Sequence, residues 1–355
     1  MSSLQNISSK KDQENWEIEI KAEITPEALT RYRGEALKDL TKTVQLKGFR
    51  AGHAPESEII RHVGEAEIMR RAADMAVRNE LPELLAKEQA NIVDSPQVTV
   101  DVPKPNEPLG FTARAPLAPE ITLPDYKKIA AETNLKRGKP EVTEKETKET
   151  LIHIRRERAR IDAIESGKKP EEAAEAARAM KEEELPELDD TFVKTLGYEN
   201  VAAFTAKLAE QLLNEKTMQE NAKDRAALLE NLVKQSKISY PSMLKNYELD
   251  DMESRLADDV ARLGRTMESY YTEVKKTRDE LRKEWLPSAD TRVKTRLILA
   301  EIARKESIEA EPKEVEHELA HAKKHYAQAR EETLRAHITH ALKNEAVLKW
   351  LETQK

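Results

Sequence analysis

The sequence contains no cysteine, only nine glycines in 355 residues, and few aromatic side chains, which make up 4% of the chain. Without cysteine there can be no disulfide, no thiol nucleophile and no cysteine-bound zinc. So few glycines disfavour an all-β or dinucleotide-binding design, because both need many tight turns. The low aromatic content is typical of long helices with much solvated surface.

Long apolar runs are also missing, and residues 1–15 are polar without an apolar signal region. These features predict a cytosolic chain with no membrane partner. The net charge of −7 disfavours a dedicated nucleic-acid binder, so any contact with RNA needs a local basic patch. The length of 355 residues predicts two or three domains.

The first third of the chain predicts an α+β domain over residues 1–117. Residues 16–24 alternate between apolar and charged side chains, which indicates a strand with one buried face. Thr25 and Pro26 are a typical N-cap and first residue of a helix, and Gly64 is expected to end a second, short helix. A longer helix and two further strands complete a small antiparallel sheet with a helical hairpin. Residues 118–142 contain several prolines and predict a partly extended linker.

Residues 143–355 are predicted to be all-helical, with long arms. Thr143 and Glu146 have the spacing of a capping box, and Asp190 is expected to cap a short helix. Prolines are expected to begin or break the later helices, at Pro241, Pro287 and Pro312. The predicted fold class is therefore an α+β domain followed by a mainly all-α domain.

The segment from Thr41 to Pro55 contains no acidic residue, although the chain as a whole is acidic. Its basic side chains and histidine are Lys42, Lys47, Arg50 and His53. Phe49 lies between two glycines at the centre of this loop, where an exposed aromatic ring is costly unless it docks on a partner. From the residues alone, the alternative that the loop folds back and buries Phe49 in its own domain stays open.

The run Gly48-Phe49-Arg50-Ala51-Gly52-His53-Ala54-Pro55 resembles the signature of the trigger factor family, Gly-Phe-Arg-x-Gly-x-x-Pro. Residues 289–308 resemble the arm helix of that family, and residues 185–192 resemble its entry into the C-terminal domain. The resemblance implies docking on a ribosomal protein and rRNA at the tunnel exit of the large subunit. The implied ribosome-binding residues are Lys47, Gly48, Phe49, Arg50, Ala51, Gly52, His53 and Pro55.

The resemblance also implies a helical cradle that holds unfolded or nascent polypeptides without ATP, and no cofactor is predicted. The sequence agrees in having no G-x-x-x-x-G-K-[ST] loop for ATP phosphates. A homodimer away from the ribosome is left open. Candidate cradle residues, for each of which ordinary helix packing is the alternative, are Met218, Leu228, Met243, Met252, Met267, Tyr270, Tyr271, Leu297 and Leu299.

The chain departs from the family in two ways. Ala51 and His53 stand where lysine is usual, so the loop carries less positive charge. The family usually has an FKBP-type prolyl-isomerase domain between a helix matching residues 143–165 and the chain near Leu185. Here residues 165–185 contain no aromatic or β-branched side chain, and about twenty residues are far below the roughly forty that an unaided domain needs. The isomerase activity is therefore expected to be absent.

Two other functions remain as alternatives. The weakened charge of the loop would suit a free holdase that never docks on ribosomes. The run His317-Glu318-Leu319-Ala320-His321 fits the H-E-x-x-H pattern of zinc proteases, with His325 one turn further on. The apolar stripe through Val315 and Leu319 puts these histidines on the opposite, solvated face, which disfavours catalytic zinc. Incidental metal binding by His317, His321 and His325 is the weaker hypothesis that remains.

Overall fold

The computed structural model describes residues 3–46, 49, 53–104, 106–326 and 328–355. The chain folds into two compact units, Met1–Pro124 with Gln235–Ser307 and Asp125–Lys234 with Ile308–Lys355. Each unit combines two stretches that are distant in the sequence. The domain boundaries expected at residues 117 and 143 divide the chain by function and not by internal contacts, and they stay a prediction.

The secondary structure is an N-terminal sheet with helices, followed by mainly helical chain. In chain order the elements are β1 (Leu4–Asp12), β2 (Glu17–Ile24), α1 (Pro26–Thr43), α2 (Glu56–Val63), α3 (Glu65–Lys87), β3 (Gln97–Val100), β4 (Leu109–Pro116), β5 (Glu120–Thr122), α4 (Tyr126–Leu135), α5 (Glu144–Glu165), α6 (Pro170–Ala179), α7 (Asp190–Thr195), α8 (Val201–Gln235), β6 (Lys237–Ser239), α9 (Ser242–Arg262), α10 (Met267–Val274), α11 (Arg278–Glu306), α12 (Pro312–His325) and α13 (Glu331–Glu352).

The sheet of the first unit is antiparallel, with strand order β1-β2-β4-β3. In its central pair Ile20 lies opposite Ala113, and Ile24 lies opposite Leu109. Because the side chains alternate between the two faces, one face of β2 and β4 is apolar and buried, as the period-two pattern predicted. Ile20 and Ile24 belong to the large apolar cluster that the sheet forms with α1 and α3.

The edge strand β1 gave no signal in the sequence. Leu4 is its only buried residue, and residues 5–11 are exposed. Since neither face of this part of the strand is covered, its side chains need not alternate between apolar and polar. The strand is held by its pairing with β2, in which Ser9 lies opposite Ile20.

The helices of the N-terminal domain begin and end where the sequence predicted. The Thr25 side chain accepts a hydrogen bond from the Ala28 amide at 3.3 Å, and Pro26 is the first residue of α1. Gly64 has a φ of 88°, which side chains with a Cβ rarely adopt, and it separates α2 from α3. The predicted helical hairpin is therefore confirmed.

Residues 118–142 are more ordered than the expected linker. Strand β5 pairs with β6, so the expectation that all of the chain after residue 142 is helical is wrong at Lys237–Ser239. Helix α4 follows Asp125, whose carboxylate accepts a hydrogen bond from the amide of Lys128 at 3.1 Å. Two three-residue strands that are far apart in sequence leave no local pattern, so only their tertiary contact reveals them.

Pro287 does not break a helix, which corrects the sequence-based expectation. It lies inside α11, which starts with a capping box formed by Thr277 and Glu280. Apolar residues on both sides of the proline, among them Leu281 and Val293, are buried and hold the helix together across it. The chain turns earlier instead, after α9 and again at Lys275, which has a left-handed φ of 53°.

The second unit keeps most of the predicted helix boundaries. The capping box of Thr143 and Glu146 opens α5, and Pro312 is the first residue of α12. The cap of α7, however, is Asp189 and not Asp190. The Asp190 carboxylate instead accepts a hydrogen bond from the Val201 amide at 2.9 Å, at the start of α8.

The predicted fold class is confirmed, since a small antiparallel sheet with helices precedes a mainly helical remainder. Within the described ranges, no helix is both long and apolar enough to cross a membrane.

Candidate functional site

The loop between α1 and α2 is anchored at both ends by one apolar cluster. Leu37 and Leu40 of α1 belong to this cluster together with Ala54, Ile59 and Ile68. Val44 and Leu46 pack against it from the first half of the loop. Because the two ends of the loop share a single buried cluster, the chain on either side of the tip has a fixed position.

The structure places part of the predicted loop site. Phe49 is 43% exposed, and its amide donates a hydrogen bond to the carbonyl oxygen of Leu46 at 3.1 Å. His53 is also exposed, and the carbonyl oxygen of Pro55 accepts a hydrogen bond from the Ile59 amide at 3.2 Å in the first turn of α2. Phe49 is therefore not buried in its own domain. The other predicted residues, Lys47, Gly48, Arg50, Ala51 and Gly52, lie outside the described residues.

In the sequence, the basic residues lie within the loop and the carboxylates follow it. The first carboxylates after it are Glu56 and Glu58, in the first turn of α2, where they interact favourably with the helix dipole. Arg33 in α1 donates two hydrogen bonds to the carboxylate of Glu65 in α3, of which Nη2 to Oε2 measures 2.7 Å. This pair ties α1 to α3, and the hydrogen bonds from Arg33 lower the pKa of the Glu65 carboxyl.

The chemistry of the loop suits an anionic partner with an apolar spot. An arginine can form two hydrogen bonds to a phosphate or a carboxylate, and lysine adds a point charge. An exposed phenylalanine adds apolar area that is stabilised only when it is covered. The loop sequence supplies all three, without a carboxylate between Thr41 and Pro55 to compete.

The predicted client-binding residues differ widely in exposure. In the second unit Met218 is 72% exposed, whereas Leu228 is buried. In the first unit Leu299 is buried in the packing of α11. The remaining candidates are partly buried, with some surface left for contact: Met243, Met252, Met267, Tyr270, Tyr271 and Leu297.

The predicted client-binding residues leave out three exposed apolar side chains on or beside α9 and α11, which we call the arm helices. Tyr247 in α9 and Leu286 in α11 are 54% and 41% exposed, and Leu263, directly after α9, is 74% exposed. Large apolar side chains that stay this exposed are candidates for contact with other molecules.

A buried ion pair fixes α9 against α11 in the same unit. Glu248 is only 2% exposed, and its carboxylate binds the guanidinium groups of Arg292 and Arg296. Nearby, Asp290 accepts hydrogen bonds from Tyr240 and from Lys294, the latter at 2.7 Å. Burial alone would raise the pKa of Asp290, but these hydrogen bonds lower it overall, so the carboxylate stays charged. The arm helices are thus held by paired charges as well as by apolar packing.

The histidine motif lies on the solvated side of α12, as predicted. Val315 and Leu319 are buried, while His317, His321 and His325 are exposed. The rings of His317 and His321 have centroids 5.0 Å apart. In the part of the chain that the structure describes, no three histidine or acidic side chains are grouped so that they could hold a metal ion. Metal binding at these histidines stays a prediction.

A helical hairpin stands at the place where the family usually has its isomerase domain. Helix α6 packs on α5 through small side chains, with Ala177 in one cluster with Ala159 and Leu185. Arg155 closes the hairpin by donating hydrogen bonds to the carbonyl oxygens of Leu185 and Pro186, at 2.7 and 2.9 Å. The chain therefore passes from α5 to α7 without an inserted domain.

Two family models match the chain, one before and one after the middle segment that contains α6 and α7. The family described as bacterial trigger factor protein matches residues 6–154, and the family described as its C-terminus matches residues 200–352. The chain belongs to the trigger factor family. Residues 155–199, between the two matches, contain the second half of α5, α6 and α7, so trigger factor domains are present without a middle isomerase domain.

Individual trigger factors are similar over nearly the whole chain. The trigger factor of Carboxydothermus hydrogenoformans is 24% identical over 396 residues, covering 91% of this chain and 92% of the relative. That of Trichormus variabilis is 23% identical over 421 residues, covering 94% and 89%. Both alignments are longer than this chain of 355 residues, so the relatives contain segments that it lacks.

A solved structure has the same fold. It is described as "Promiscuous Substrate Recognition in Folding and Assembly Activities of the Trigger Factor Chaperone" and aligns with a TM-score of 0.53 at 14% identity. It covers 98% of this chain and 100% of its own. The family membership gives the chain its function, which is that of a ribosome-associated chaperone.

Proposed function

We propose that residues 47–55 are the anchor by which this trigger factor docks at the tunnel exit of the large ribosomal subunit. Arg50 and Lys47 bind rRNA phosphates or an acidic side chain of a ribosomal protein, and Phe49 enters an apolar spot. The observation that carries the proposal is the exposed Phe49 ring on an acid-free loop whose two ends share one buried cluster. The docked protein acts in the cytoplasm.

We further propose that the helical part of the chain holds unfolded or nascent polypeptides without ATP. Weak binding to apolar surface, rimmed by charge, allows release without a nucleotide cycle. The partly buried methionines and tyrosines named above belong to this surface, together with Met218. Leu228 and Leu299 are packed inside the fold, which narrows the proposed client surface to the others. Methionine adapts to many shapes, which suits varied clients.

Co-sedimentation with ribosomes tests the docking proposal directly. The full-length protein should pellet with ribosomes at low salt, and less of it should pellet as the salt concentration rises, because basic side chains release counterions from RNA. A protein that suppresses aggregation but never pellets with ribosomes would be a free holdase instead. Sedimentation of the protein alone decides whether a homodimer forms away from the ribosome.

We predict that the protein does not catalyse prolyl isomerisation. The hairpin of α5 and α6 contains no strand and no aromatic residue, so it has none of the parts from which an isomerase domain builds its proline pocket. A short proline-containing peptide should therefore isomerise in tens to hundreds of seconds, the uncatalysed rate, at any protein concentration. An acceleration that grows with protein concentration, and that survives removal of contaminating host isomerases, would contradict this.

A further inference from the structure

The second unit contains a groove that none of the proposed roles uses. It has a volume of about 900 Å³ and is formed by α5, α6, α7 and α8. Its apolar lining includes Ile161 and Leu196, which are 43% and 47% exposed, and the buried Phe204. This volume lies in the usual range of binding sites, and exposed apolar residues inside a groove indicate an occupant.

The groove lies beside the compact hairpin that stands where the family usually has the isomerase domain. Helix α6 contacts α5 through Ala173 and Ala177, which are fully or almost fully buried. Such small side chains let the two helices come close together. The hairpin is closed by Arg155 as described, and α7 follows it with Phe192 and Leu196 turned into the groove lining. Part of the apolar lining therefore comes from this chain's short middle segment.

The rim of the groove is strongly basic, although the chain as a whole is acidic. Its lining contains four arginines but one acidic side chain, Glu157, which Arg160 already binds at 2.8 Å. Arg158 donates a hydrogen bond to the carbonyl oxygen of Glu187 at 2.6 Å, and its guanidinium lies 4.7 Å from the centre of the Phe192 ring. These two arginines therefore have partners inside the fold.

The other two arginines of the rim are free to bind a ligand. Within the described residues, neither Arg156 nor Arg178 forms an ion pair. The Nε–H of Arg156 is buried and makes no hydrogen bond. A buried donor without an acceptor costs free energy, and the partly exposed Arg156 side chain must shift for a ligand carboxylate to reach this group and recover that cost. Arg178 is exposed at the end of α6, where it can reach the same ligand.

We propose that this groove binds client segments in which apolar and acidic residues are interleaved. The apolar side chains of such a segment cover Ile161, Leu196 and Phe204, while its carboxylates bind Arg156 and Arg178. A basic segment would place like charges together and is rejected. The inference rests on the proposed holding function, because it names the class of client that one surface takes.

A polypeptide segment fits this groove better than a second copy of the chain. A stable interface between folded proteins covers roughly 800 Å² on each partner, much of it flat. A groove of about 900 Å³ instead accommodates several side chains of one segment. The arginine rim adds a preference for acidic residues in that segment.

Peptide binding to the full-length protein tests the proposal. Three fluorescein-labelled peptides of about 15 residues, roughly four helical turns, would share the same leucine positions and carry Glu, Gln or Lys at the polar positions. The Glu peptide should bind about tenfold more tightly than the Lys peptide, as expected for two or three partly exposed charge pairs. At about 0.5 M salt, where charges are screened within a few ångströms, the difference should shrink.

Substitution of the exposed rim arginine gives the decisive comparison. Arg178→Glu should weaken binding of the Glu peptide about fivefold or more and strengthen binding of the Lys peptide, because it reverses the rim charge. Arg78→Glu is the matched control, since Arg78 is an exposed helical arginine in the other unit and makes the same change in net charge. The control should leave the affinities of the three peptides, and their order, nearly unchanged.

Several results would overturn the proposal. Equal binding of the three peptides, or an Arg178→Glu variant with unchanged preference, excludes the groove as an acidic-client site. A dimer that Arg178→Glu dissociates would mean that a second copy occupies the groove. These failures are separate from failure of the holding function, which would appear as no suppression of client aggregation by the wild-type protein.

Discussion

Alanine at Phe49, Arg50 and His53 together should abolish pelleting of the protein with ribosomes at low salt. The variant loses the apolar anchor, and it loses Arg50, the one loop side chain able to form two hydrogen bonds to a phosphate or a carboxylate. Phe49 and His53 are exposed, so their replacement removes contacts with a partner rather than contacts within the fold. Surface substitutions of this kind change the free energy of unfolding by about 0.5 kcal/mol or less.

A matched control separates the loop from a general loss of charge. The triple variant Arg78→Ala, Val102→Ala and His337→Ala also removes one exposed arginine, one exposed apolar residue and one exposed histidine. It should pellet with ribosomes as the wild-type protein does. If the loop variant still pellets with ribosomes like wild type, while both variants unfold at the same urea concentration, the docking assignment is wrong.

Serine at Tyr247, Leu263 and Leu286 should strongly weaken the holding activity without affecting ribosome binding. These side chains expose large apolar areas on the arm helices, and covering each contributes about 1 kcal/mol or more when a client binds. Loss of all three should raise the client dissociation constant about tenfold or more if one client segment covers them. The measurement is light scattering of an unfolded client during refolding, at several ratios of protein to client and without ATP.

The control for this variant removes similar apolar surface elsewhere in the same unit. Ile7, Val98 and Val102 are exposed residues of the N-terminal domain, and serine at all three should leave the suppression of aggregation intact. Equal loss of suppression in both variants would mean that any exposed apolar residue of the protein can bind the client. No loss in the arm variant would exclude these side chains from the client surface.

The proposed docking loop could be selected from the sequence because its signal is local. The motif from Gly48 to Pro55 consists of consecutive residues, and the absence of acidic residues can be seen without knowing the fold. The exposure of Phe49 could not be predicted, because it depends on whether Leu46 and Ala54 anchor the chain on the same cluster. Cluster residues such as Leu37 and Ile68 are brought together only by the packing of α1, α2 and α3.

The prediction of a client surface depends more strongly on the tertiary structure, for a related reason. Leu228 and Leu299 have the residue type of a binding surface but are buried, while the exposed Leu263 and Tyr247 were not selected. A helical stripe shows that one face is covered, but it does not show whether another helix or a client covers it. The groove of the second unit was equally hidden, because its arginines and apolar residues come from several helices.

The sequence by itself determined the family, the absence of an isomerase domain, the helix starts at Pro26, Thr143 and Pro312, and the alternating strand β2. Each of these depends on neighbouring residues, through capping, fixed φ angles or side-chain periodicity. The tertiary structure alone decided the strand pairing of β5 with β6, the edge strand β1 and the intact helix around Pro287. These features are stabilised by contacts between residues that are distant in the sequence. Such contacts cannot be recognised from the pattern of neighbouring residues.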